Sequence, residues 1–110
     1  MHLGFVSYEY PPDTGQGGIA TYVKQVTELL SARGVEIDVV VASPTRTGAL
    51  RLAPTLRLYF VTCNSREEFI RQSPETLASI HAKFPFDGIE CPEYGAEARF
   101  IREKLPQVKL

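Results

Sequence analysis

The 110-residue chain carries 12 Lys and Arg against 13 Asp and Glu, a net charge of −1, with 44% hydrophobic and 23% charged residues. That balance describes an ordered α/β protein, excludes a disordered chain, and supplies no electrostatic pull toward nucleic acid or an anionic membrane. No apolar run approaches the roughly 18 residues of a membrane-spanning helix, and residues 2–6 are too short for a signal-peptide core. Cys63 and Cys91 lie far apart without His or Cys at metal spacing, which predicts two buried, reduced thiols in a cytoplasmic protein and no bound metal.

The first element is a buried strand over 3–8, and the glycine-rich turn Gly15-Gln16-Gly17-Gly18 follows it. Ile19, Tyr22, Val23, Val26, Leu29 and Leu30 then recur at helical spacing, so a helix is expected over 19–33, stopped by Gly34, with Tyr22, Val26, Leu29 and Leu30 as core. Ile37 to Ala42 is a continuous, largely β-branched run ending at Ser43-Pro44, the signature of a strand buried on both faces. Residues 44–55 are polar, with Gly48 and Pro54, and read as an irregular connection. A strand over 58–62 comes next. Ser65-Arg66-Glu67-Glu68 has the form of a capping box and opens a helix. Pro74 is expected to break or kink it, with Ser73-Pro74 starting a second helix through Leu77 and Ile80. Phe86 to Cys91 forms a short strand, Pro92 opens a last helix that Pro106 closes, and Val108 to Leu110 starts a further strand. Alternating strands and helices imply a Rossmann-like parallel sheet with helices on both faces. Residues 1–110 read as one such domain, incomplete at its C-terminal end and belonging to a longer protein.

The glycine turn between a strand and a helix directs backbone N–H groups, and the positive end of a helix dipole, at one spot suited to phosphate. Gly15-x-Gly17-x-x-Ala20 fits the dinucleotide fingerprint formally. Residues 8–14 intervene between strand and glycines, however, and the second strand ends without an acid for a ribose; Asp38 lies earlier in it, and Arg46 is a lone loop arginine. A flexible turn is the plain alternative, but three glycines in four positions are costly to order.

Glu9-Tyr10-Pro11-Pro12, then Gly17-Gly18-Ile19-Ala20-x-Tyr22-Val23, Leu29-Leu30 and Arg33 to Ile37 resemble the N-terminal domain of GT-B glycosyltransferases, nearest the retaining family 4 (group 1) type. Phe86 to Gly95 looks like that family's fourth-strand motif. The resemblance implies two Rossmann-like domains across a cleft: an acceptor-side N-terminal domain and a C-terminal GT-B domain that holds a nucleotide-sugar donor. It implies that Gly17 and Gly18 bind the donor diphosphate, with the nucleotide-sugar a substrate and no cofactor. The family's active-site histidine and its pair of glutamates eight apart fall beyond Leu110, so no catalytic residue is expected within the chain, and alone it is expected to be inactive.

Glu9, Asp13, Glu93 and Tyr94 fall at the carboxyl ends of strands or beside the glycines, which makes them candidate contacts for a sugar or glycan acceptor. Each also has an ordinary reading as a turn, cap or helix-dipole residue. His2, ahead of the first strand, and His81, half-exposed on a helix, read as structural. Arg99, Arg102 and Lys104 read as a solvated basic face. A non-catalytic nucleotide- or phosphosugar-binding module, and a dinucleotide-binding oxidoreductase domain, remain the alternative functions.

Overall fold

The computed structural model describes residues 1–10, 18–91 and 96–109. Strand β1 (His2–Ser7) leads to helix α1 (Gly18–Ala32), β2 (Glu36–Ser43), β3 (Gly48–Ala53), β4 (Leu56–Thr62), α2 (Arg66–Lys83), β5 (Gly88–Glu90) and α3 (Ala96–Lys104). The five strands form one sheet in the order β3-β4-β2-β1-β5. All neighbours are parallel except β3, which runs antiparallel to β4. The expected Rossmann-like architecture is therefore present.

Strand alternation divides the core between two faces. Phe5, Ile37, Val39, Val41, Leu56 and Leu58 face α1, whose Val23 is fully buried against them, with Val26 and Leu30 packed alongside. Val6, Val40, Ala42 and Val61 face the other way, onto Phe69, Leu77 and Ile80 of α2 and Ile101 of α3. Two layers of helix over one sheet bury the β2 run on both sides, as its β-branched sequence demands. Gly34, at φ +88°, ends α1: its N–H donates to the Ser31 carbonyl and that of Val35 to the Leu30 carbonyl, the paired bonds of a Schellman cap.

Four expectations need correction. Residues 44–55 are not irregular: Gly48 to Ala53 pair with β4 as an edge strand, bulged between Arg51 and Ala53 and turned at Pro54-Thr55. Five of its six residues are exposed, so they lack the apolar alternation by which a half-buried strand is recognised. Pro74 does not break the chain; α2 runs through it, because Phe69, Leu77 and Ile80 bury one continuous helical face on both sides of the proline. Tyr22 and Leu29 are not core: they stand 47% and 53% exposed, while Thr27 and Ser31 take buried places on α1. Thr27 can do so because its hydroxyl donates to the Val23 carbonyl, and Ser31 because its hydroxyl meets that of Thr55. Cys91 is only half-buried, and neither cysteine is in a disulfide.

The Ser65 half of the capping box forms as expected, while the return bond lands one residue earlier, on Asn64. The amide of Glu68 donates to the Ser65 hydroxyl at 3.2 Å, and the Glu68 carboxylate accepts from the Asn64 amide at 3.3 Å. The further strand expected over Val108 to Leu110 is not found at Val108 or Lys109, and Leu110 lies outside the described residues; the Lys109 carbonyl accepts from the Ile89 N–H at 2.8 Å.

Candidate functional site

The strand order places a topological switch between β1 and β5. The chain steps outward from β1 to β2 and β4, then returns to the other side of β1 to lay down β5. In open α/β sheets the crevice beyond the carboxyl ends of the two strands flanking that switch is where ligands sit. Because β1 and β2 are parallel and α1 connects them, the amino end of α1, at Gly18, also lies at this edge.

The segment leaving β1 is fixed from both layers. Tyr8 meets the Phe69 ring edge-on at 5.6 Å, with the Arg66 guanidinium 5.7 Å from its own ring, so it is held by the start of α2. Tyr10 turns the opposite way and is 3% exposed, its hydroxyl 3.3 Å from that of Thr27 on α1. Thr27 already spends its proton on the Val23 carbonyl, so Tyr10 is the donor. Burial pushes the Tyr10 phenol above its ordinary value. Between these anchors Glu9 is half-buried, and its carbonyl accepts from the buried Ser7 hydroxyl at 2.6 Å. Glu9 thus lies at the carboxyl end of β1 on a segment whose neighbours Tyr8 and Tyr10 are packed into the two layers.

Of the residues expected to form the site, Glu9 and Gly18 fall at this edge. Gly17, Asp13, Glu93 and Tyr94 lie outside the described residues, as does the expected helix start at Pro92. Among the described residues no three His, Cys, Asp or Glu side chains gather as metal ligands, and no helix is long and apolar enough to cross a membrane. His81 is structural: its Nδ1 accepts from the Phe86 amide at 3.0 Å. Arg102 is exposed, and Lys104 pairs with Glu75 at 3.0 Å on the surface.

The opposite, amino edge of the sheet holds a group of charges that the sequence reading missed. Asp38 is fully buried inside β2 and accepts from Arg57 Nε and His2 Nε2, each at 2.6 Å. His2 is not idle ahead of the sheet but part of β1, its Nδ1 3.1 Å from the Pro85 carbonyl. Arg57 also reaches Glu36 at 3.0 Å, and its proton affinity is raised, first by the Asp38 hydrogen bond. Register explains the placement: Gly4, Asp38, Arg57 and Arg51 are consecutive partners across the sheet. Gly4 leaves room there for the Phe86 ring, which stacks on His2 at 4.4 Å. The available signal was the single acid inside an otherwise apolar run.

Comparison with known proteins agrees with the architecture. No family model matches the chain, and no curated protein matches it in sequence. Among solved structures it is similar to sucrose-phosphate synthase from Thermosynechococcus elongatus, at TM-score 0.79 and 22% identity over 99% of this chain and 31% of that one. A second structure of that enzyme matches at TM-score 0.71 and 19% identity, over 100% of this chain and 60% of the other. The shared property is the fold. This chain spans 31% and 60% of the two neighbouring chains.

Proposed function

We propose that the chain is the acceptor-side, N-terminal Rossmann-like domain of a GT-B glycosyltransferase, one that moves a sugar from a nucleotide-sugar donor to a sugar or glycan acceptor with retention, as the family 4 resemblance implies. The observation that carries this reading is the coincidence, at one sheet edge, of the β1/β5 switch, the start of α1 at Gly18 and the anchored Glu9 segment. The likeness to a sucrose-phosphate synthase, itself a glycosyltransferase, supports it.

In this reading the Gly17 and Gly18 amides meet the charge that builds on the departing nucleoside diphosphate, a role for which a helix start needs no metal. Glu9, with Asp13, Glu93 and Tyr94, contacts acceptor hydroxyls. A C-terminal GT-B domain supplies the remaining donor contacts and the catalytic groups, and the protein works in the cytoplasm. Catalysis is then chiefly positional and electrostatic.

The test is donor hydrolysis and transfer by the full-length protein across a panel of nucleotide-sugars. Activity with one donor, reduced about a hundredfold in Gly17→Val, is the expected result. Titration of the 110-residue chain alone should give millimolar or weaker binding of UDP or GDP. Micromolar NAD binding would instead identify a dinucleotide-binding domain, and nucleotide binding without any transfer would identify a non-catalytic module.

A further inference from the structure

At the amino edge of the sheet, opposite the proposed donor edge, lies a groove of about 660 Å³ lined by His2, Glu36, Arg51, Arg57, Tyr59, Phe84 and Pro85. Its size falls within the range of small-molecule sites, and its lining is of the usual kind, apolar and aromatic walls with a few convergent polar groups. One wall is Phe84 and Pro85, with the Phe84 ring 66% exposed. The floor is the ion network: Arg57 is held by the fully buried Asp38 and by Glu36, so its position is set before any ligand arrives. Tyr59 adds a half-buried ring beside it.

The opposite lip carries Arg51, whose guanidinium donates to the Pro54 carbonyl and forms no ion pair among the described residues. Asp38 and Glu36 are both committed to Arg57, and Asp38 also to His2. Arg51 is thus the guanidinium of the groove without a carboxylate partner among the described residues, in a lining that includes an exposed aromatic ring.

We propose that this groove is a second ligand site, taking a small molecule that joins a flat ring to an anionic group, the ring against Phe84 and Tyr59 and the anion on Arg51. A guanidinium with unspent donors suits a phosphate or carboxylate, and the aromatic wall gains by being covered. The site is independent of the donor edge, so it stands or falls apart from the transferase reading.

The test uses the full chain and phenyl phosphate as probe, followed by amide NMR shifts, with inorganic phosphate and phenol as the separate halves. Saturable shifts at Arg51, Tyr59 and Phe84 are expected, with phenyl phosphate binding at least about tenfold more tightly than either half. Arg51→Gln should weaken it about tenfold and Phe84→Ala severalfold, while Arg102→Gln on α3 changes nothing. Both Arg51 and Phe84 are exposed, so the variants keep the fold. Absence of saturation at these residues, equal binding of one half alone, or indifference to Arg51→Gln would overturn the proposal.

Discussion

Replacing Asp38 separates the physical contributions of the buried network. The carboxylate has no solvent access and holds two bonds of 2.6 Å, to Arg57 and to His2. Asp38→Asn keeps both contacts but removes the carboxylate charge: the amide oxygen accepts from Arg57, which stays cationic, and the amide nitrogen donates to His2 Nε2 when that nitrogen is bare. What is lost is the difference between charge-assisted and neutral bonds, about 1–2 kcal/mol. Asp38→Leu removes the shared acceptor and leaves Glu36 as the carboxylate partner of Arg57 among the described residues, with the Arg57 side chain 21% exposed. Stripping one partner from a buried pair costs about 3–5 kcal/mol. That is a large share of the 5–15 kcal/mol or so by which domains are stable. Adding Arg57→Met to Asp38→Leu should recover most of the loss, since an apolar pair of similar volume is often neutral. Urea unfolding at constant m-value of the wild type, Asp38→Leu, Arg57→Met and the double variant closes the cycle. If Asp38→Leu cost less than about 1 kcal/mol, or if the two substitutions were additive, the network would not be a coupled unit and the reasoning would fail.

Three further outcomes follow from other places in the fold. Gly4→Ala would put a Cβ 2.9 Å from Phe86 Cε1, against a ring also stacked on His2 and His81, and should cost about 1–3 kcal/mol in urea unfolding; Phe86→Leu in the same background should relieve part of it. Ser73→Ala should stabilise by up to about 1 kcal/mol, read as a higher melting temperature, because the Ser73 hydroxyl is buried without a hydrogen-bond partner among the described residues and alanine is the better helix former. Stability should fall in alkali. Burial first, and the Glu68 charge second, raise the Cys63 thiol above 9.0, as burial raises the Tyr10 phenol above 10.0. Both groups are protonated in either state at neutral pH; above their ordinary values the unfolded chain releases protons that the folded one retains, and the stability present below is lost as pH rises. Denaturation midpoints across that limb check this, and Cys63→Ala should flatten its lower part.

The parts of the fold legible in the sequence are those where one local rule acts alone. The β2 run is β-branched because two helical layers cover it, Gly34 ends α1 because its φ is positive, and the Ser65 hydroxyl caps α2 at the Glu68 amide. What escaped depends on partners distant in the chain. β3 is a strand only because β4 offers an edge, and Pro74 is tolerated because a continuous buried face outweighs one lost bond. Thr27 and Ser31 displaced Tyr22 and Leu29 from the core through hydroxyl partners that periodicity does not register. At the site, the edge was foreseeable from the position of Glu9 and Gly18 after β1. The Asp38 network was not, since its members come from residues 2, 36, 38 and 57, and only strand register aligns them.

The two rims of the sheet differ in how they would yield. β5 is hydrogen-bonded to β1 on one side and receives the Lys109 carbonyl on the other, whereas β3 hangs from β4 alone with five of six residues in solvent. Fluctuations therefore begin at β3, whose amides should exchange with solvent deuterium well before those of β2. Arg51 rides on that exposed rim while Arg57 is clamped to the interior, so the two guanidinia of the amino-edge groove differ in how firmly the sheet holds them.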